Sequence, residues 1–87
     1  MAKKSSSSSY TKKVPAVDQA LRILFFMARS RRTRLSLTDI CKGVGIHKSK
    51  GYSILSTLNK YGLVHKDFED KQYALGPGIL PLSQKVT

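Results

Sequence analysis

Apolar positions recur at helical spacing in three stretches of the 87-residue chain and then give way to two short strand-like runs. Val17, Ala20, Leu21, Leu24 and Ala28 recur three and four residues apart after Pro15, which predicts a helix over about residues 16–30. Ile23, Phe25 and Met27 widen its apolar stripe past half the circumference, and Phe26 falls among Gln19, Arg22, Arg29 and Ser30 on the polar side. One face of so small a domain cannot bury all of this. A second copy of the chain or its own C-terminal tail is expected to cover the surplus, with Ile23, Phe26, Ile79 and Leu80 as the dimer contact.

A second helix is predicted from Leu37, with Ser36 as its N-cap and Asp39 completing a variant of the capping box. Leu37, Ile40, Cys41 and Val44 share its inner face, which makes Cys41 a packing residue rather than a nucleophile. Gly43 and Gly45 follow, either of which can supply the positive φ of a tight helix-to-helix turn. The third helix is expected from about Lys48 to Tyr61, with Gly51, Ile54, Leu55, Leu58 and Tyr61 inward. Ser49, Tyr52, Ser53, Ser56 and Lys60 fall outward, with Lys48 and Lys50 in the first turn. After Gly62, the stretches from Leu63 to Lys66 and from Gln72 to Leu75 read as two strands joined by the turn Asp67–Lys71. Ile79, Leu80 and Leu82 begin a last segment, interrupted by Pro81 and too short for a stable helix alone.

This order predicts a mainly α fold with a small β-hairpin: a helix-turn-helix whose second member faces outward, followed by a wing. Small Cys41 before the turn and Gly51 after it allow the two helices to cross closely. The organisation expected is a disordered basic arm over 1–13, a winged helix-turn-helix domain over 14–76, and the start of a linker helix or tail over 77–87.

Charge then suggests a partner. Sixteen Lys and Arg against five Asp and Glu give a net charge of +11, which favours a polyanion. Lys3, Lys4, Lys12 and Lys13 lie in the arm with the run Ser5–Ser9, yet the rest of the chain remains basic without them. The third helix carries no carboxylate, whereas a merely solvated helix usually mixes Glu with Lys.

Enzymatic chemistry finds little purchase. Cys41 is alone, His47 and His65 have neither zinc-ligand spacing nor a catalytic partner, and Asp67, Glu69 and Asp70 crowd a turn. Every glycine is accounted for by a turn or a helix crossing rather than a phosphate-cradling loop, and no cofactor or metal is expected. No stretch is apolar enough to span a bilayer or lead secretion, and the basic residues are spread rather than gathered on one amphipathic segment. The expectation is a cytoplasmic, nucleoid-associated chain with no membrane contact.

From Val17 to Leu24, Leu37 to Ile40, Gly45 to Ser49, Leu55 to Leu58, Tyr61 to Val64 and Tyr73 to Gly76, followed by Ile79 and Leu80, the chain resembles the DNA-binding domain of the IclR (isocitrate lyase regulator) type of transcription factor. The blocks keep order and spacing over most of the chain. The resemblance implies a winged helix, dimeric binding to a pseudo-palindromic operator, and transcriptional control. The chain departs from that pattern at His47, Lys50 and Ser53 around the recognition helix, and at Glu69, Asp70 and Gln72 in the wing. The ligand-sensing domain of such factors has no counterpart in these 87 residues, so no small-molecule effector site is expected.

The mechanism expected from these residues begins with Lys48, Ser49 and Lys50 meeting phosphate at a helix N-terminus. Tyr52, Ser53 and Ser56 are the candidates for base edges or the adjoining backbone. Arg31, Arg32 and Arg34 before the second helix, and Lys66 and Lys71 in the wing, would flank them. A protein-interaction module and an RNA-binding domain remain as alternatives. The first needs an exposed apolar patch and the second a platform of exposed aromatics.

Overall fold

The computed structural model describes residues 12–87, so the basic arm expected at 1–13 lies outside the described residues as far as residue 11. Helix α1 runs Pro15–Arg29, strand β1 Leu35–Ser36, α2 Leu37–Val44, α3 Lys48–Lys60, β2 Val64–Lys66, β3 Gln72–Leu75 and α4 Ile79–Gln84. The sheet has the order β1-β3-β2, antiparallel throughout, with Leu35 opposite Tyr73 and Lys66 also opposite Tyr73 on the other side. Among the described residues no helix is long and apolar enough to cross a membrane.

Strand β1 is the element that periodicity does not announce. Two residues are too few to alternate visibly, and the partner strand is far along the chain. Its Leu35 is nevertheless buried, so the strand fastens the loop after α1 to the wing.

The core combines Ile23 and Met27 of α1, Ile40 and Val44 of α2, Ile54, Leu55 and Leu58 of α3, and Leu35, Val64 and Tyr73 of the sheet. Ile23, Ile40 and Leu55 are completely enclosed. This corrects the expected role of Ile23: it is the centre of the core and has no surface to offer a second copy. The inward face of α1 is turned toward Ala20, Ile23, Leu24, Phe26 and Met27, leaving Val17, Leu21 and Phe25 exposed.

Phe26 is corrected as well. Its ring lies against Gly43 of α2, where a β-carbon would overlap it, and the side chain packs half-buried on the core. Gly43 therefore serves as the floor beneath that ring and not as the turn residue. Arg22 adds to the same contact, its guanidinium donating to the carbonyl of Val44 at 2.5 Å, a cation on the C-terminal end of α2.

The turn belongs to Gly45, whose φ of +83° lets α2 stop and α3 start within three residues. Ser36 caps α2 as expected, its hydroxyl accepting from the amide of Asp39 at 3.1 Å. At the other end of α3, Leu63 N–H donates to Leu58 C=O and Gly62 N–H to Asn59 C=O, a Schellman closure with Gly62 at φ +78°. The helix ends one residue earlier than the pattern suggested, so Tyr61 leaves the inner face and is 74% exposed. Segment α4 is also a correction, because Pro81 does not interrupt it. Proline occupies the third helical position, where an N–H would have no partner inside the helix.

The wing turn is held both from within and from outside the hairpin. Asp67 accepts from Glu69 N–H and Asp70 from Gln72 N–H, and Arg34 donates to both carboxylates, to Asp67 at 2.5 Å. The Arg34 guanidinium, with the Glu69 amide behind it, holds the Asp67 carboxyl below the usual carboxylate range.

Two outcomes are expected. Gly51 faces the Cys41 sulfur so closely that a β-carbon there would collide with it. Gly51→Val should destabilise the domain by about 2–3 kcal/mol in urea melts, and combining it with Cys41→Ala should cost less than the two losses added together. For the wing, the folded pKa of Asp67 lies under the unfolded value, so the contribution of the Arg34 pair is complete above about pH 4 and disappears as pH falls through the folded value. Carbon-detected NMR titration should find Asp67 moved up toward the ordinary range by Arg34→Gln, and the difference in Tm between the two chains should narrow in acid.

Candidate nucleic-acid interface

Helix α3 owes its orientation to its buried side. Gly51, Ile54, Leu55 and Leu58 face the core, which leaves Lys48, Ser49, Lys50, Tyr52, Ser53, Ser56 and Lys60 all exposed on the remaining arc. At about 100° per residue, Ser49, Ser53, Ser56 and Lys60 follow one line along the outermost edge. Three of these four side chains are short, so the helix presents a narrow ridge. Tyr52 stands on the wing side of that ridge, and Lys50 on the side of α1, where it borders a groove of about 530 Å³ with Ser53 and Thr57. No acidic residue is found in the first turn of α3 or elsewhere on the helix.

The N-terminal end of α3 is open in the way phosphate binding needs. His47 occupies the N-cap position with extended backbone, and its side chain makes no capping hydrogen bond. Its carbonyl accepts from Gly51 N–H at 2.9 Å, which starts the helix. Lys48, Ser49 and Lys50 thus surround a terminus whose dipole favours an anion, with no side chain already in place.

The three loop arginines expected to act together are divided. Arg32 pairs with Asp39 at 2.6 Å, and Arg34 with Asp67 and Asp70, while Arg31 is exposed and has no ion pair among the described residues. The Arg32 guanidinium, and after it the Ser36 hydroxyl, keeps the Asp39 carboxyl low. Arg32 and Arg34 therefore meet carboxylates of their own chain, and Arg34 matches two of the three wing acids. A sequence has no means of displaying this, since Arg34 and Asp70 meet only after the hairpin folds back on β1.

The wing lysines separate too. Lys71 is exposed at the end of the turn, in left-handed backbone with φ 59°. Lys66 is half-buried, its ammonium 5.2 Å from the centre of the Tyr52 ring, 5.5 Å from that of Tyr73 and 6.0 Å from that of Phe68. Tyr73 and Phe68 are the residues that reading by position overlooked; the cross-strand pairing of Lys66 with Tyr73 carries the signal once the hairpin register is known. Cys41 conforms to its packing role: it is buried, and burial pushes its thiol up, away from the thiolate a nucleophile requires.

The remaining contact residues expected for a dimer are Ile79, half-buried, and Leu80, exposed on α4. A second exposed apolar row is formed by Val14, just before α1, and Val17, Leu21 and Phe25 along it, spaced three and four residues apart.

The arrangement agrees with known proteins. Residues 16–67 match the IclR helix-turn-helix domain. The chain is 36% identical over 63 residues to the HTH-type transcriptional regulator XynR of Escherichia coli, covering 72% of this chain and 25% of that protein. It is 33% identical over 69 residues to the glycerol operon regulatory protein of Streptomyces coelicolor, covering 79% and 27%. The chain thus spans about a quarter of the length of these curated relatives. The crystal structure of the IclR transcriptional regulator from Alicyclobacillus acidocaldarius superposes with a TM-score of 0.81 at 31% identity, over 85% of this chain and 30% of that one. With its helix order, its three-stranded wing and these matches, the chain belongs to the family of IclR helix-turn-helix domains.

Proposed function

We infer that this chain binds double-stranded DNA as the sequence-reading part of a transcription regulator, with α3 lying in the major groove. The observation that carries this reading is the outward arc of α3: short hydroxyls along the ridge, cations at both ends and no carboxylate. Its narrow ridge suits a groove that admits an α-helix and displays base edges. The matched relatives are named as transcriptional regulators, which supports the same use.

In this reading Lys48, Ser49 and Lys50 take one phosphate group at the open N-terminus of α3. Ser53 and Ser56 are the groups nearest the bases, with Tyr52 beside them toward the wing. Arg31, Lys60 and Lys71 supply flanking charge, whereas Arg32 and Arg34 serve by fixing the loop and the wing turn. Such a chain would work in the cytoplasm, on the nucleoid.

The same reading includes pairing of two copies, as a symmetric operator requires. Val17, Leu21 and Phe25 of α1, with Leu80, are the surface proposed for that contact, in place of Ile23 and Phe26. An isolated exposed aliphatic residue is ordinary, but a helical row of them is the kind of patch that association covers.

Fluorescence anisotropy with labelled duplexes selected from a random pool tests the DNA reading. Affinity should fall steeply between about 50 and 200 mM salt, and Lys48→Ala with Lys50→Ala should reduce the slope of log K against log salt by roughly two. A wild-type chain with no salt slope would remove the reading. For the pairing surface, Phe25→Asp should shift sedimentation toward monomer with the melting temperature retained. Phe26→Asp should instead lower the melting temperature, because its ring is part of the α1–α2 contact.

A further inference from the structure

Lys66 is held by rings drawn from three separate parts of the fold: Tyr52 from α3, Tyr73 from β3 and Phe68 from the wing turn. No ion pair engages it among the described residues, and the difference from Arg34 is instructive. Carboxylates fix Arg34 and cancel its charge. Aromatic rings fix a cation through their quadrupole and carry no net charge, so the +1 of the lysine survives the contact. Tyr73 is 3% exposed and belongs to the core, while Tyr52 is half exposed and Lys66 itself is half-buried, which places the ammonium between a core ring and a surface ring at the seam between α3 and the wing.

We propose that Tyr52 is a positioning residue for Lys66: its ring holds the ammonium in place at the seam between recognition helix and wing, so that a DNA phosphate meets a cation already in its bound position. A free lysine would lose several rotatable bonds on making that contact, and one held by rings has lost them before DNA arrives. Because Tyr52 belongs to α3 and Lys66 to β2, the contact ties the wing cation to the seating of the recognition helix. This inference rests on the duplex-DNA reading above.

The test compares the loss caused by Lys66→Met in three chains: wild type, Tyr52→Phe and Tyr52→Leu. Affinity for one selected duplex is read as a function of salt. In wild type Lys66→Met should lower the salt slope by about 0.9 and weaken binding, and Tyr52→Phe, which retains the ring, should show the same fold-loss. In Tyr52→Leu that fold-loss should be smaller by about two- to fivefold, the usual strength of one cation–aromatic contact. In the free protein, the ε-methylene protons of Lys66 should be shifted upfield in wild type and Tyr52→Phe and move toward those of an exposed lysine in Tyr52→Leu. Equal losses in all three chains overturn the positioning role while leaving DNA binding intact. The role is also overturned if Tyr52→Phe behaves as Tyr52→Leu does, because the hydroxyl would then carry the effect. A wild-type chain that binds no duplex removes both this proposal and the reading beneath it, a result distinct from either of the others.

Discussion

Cys41 and Gly51 meet where α2 crosses α3, and the missing side chain at Gly51 lets the two helices come together with the sulfur filling the space between them. That contact, with the left-handed residue Gly45 a few positions before it, sets the direction in which α3 leaves the turn. Leu55 then anchors the helix in the core with no exposed surface at all. Everything on the outer arc, from Lys48 to Lys60, is aimed by these inward contacts. An added β-carbon at position 51 would push the two helices apart and carry the whole outer arc with them.

The distribution of charge follows a second logic. None of the acids in the helix-turn-helix and wing belongs to α3, and Asp39, Asp67 and Asp70 each meet an arginine from the loop after α1. These pairs are exposed, and pairs of that kind add little to stability. Their effect is on placement: Arg32 ties the loop to the start of α2, and Arg34 ties it to the wing. In the same act they neutralise carboxylates that would otherwise repel a phosphate backbone. Lys66 represents the complementary arrangement, in which a cation lies against tyrosine and phenylalanine rings that leave its charge uncancelled.

Helix α1 shows why an apolar surplus is informative only after packing is known. It carries more apolar surface than the core can accept, and periodicity alone places Val17, Leu21, Leu24 and Ala28 inward. The helix is turned otherwise, because Gly43 opens a seat for the Phe26 ring and Ile23 fills the centre between α2, α3 and the sheet. The surplus therefore emerges through Val17, Leu21 and Phe25. Two adjacent phenylalanines end with opposite roles, one joined to the core and its neighbour facing out.

Much of the molecule follows from local chemistry that the sequence contains outright. Three- and four-residue apolar spacing, the Ser36 cap, glycines at the turn and at the end of α3, and strand alternation around the wing each depend on residues a few positions apart. The family resemblance and the acid-free arc of α3 were legible for the same reason, since a helix wheel needs no knowledge of its neighbours. What depended on distant partners came only from the tertiary structure: the pairing of two-residue β1 with β3, the seat of Phe26 on Gly43, the capture of Arg34 by the wing, and the rings around Lys66. A chain's own periodicity says how much of a helix must be buried, but only the surface packed against it decides which side, because that choice is a comparison among contacts between residues far apart in the sequence.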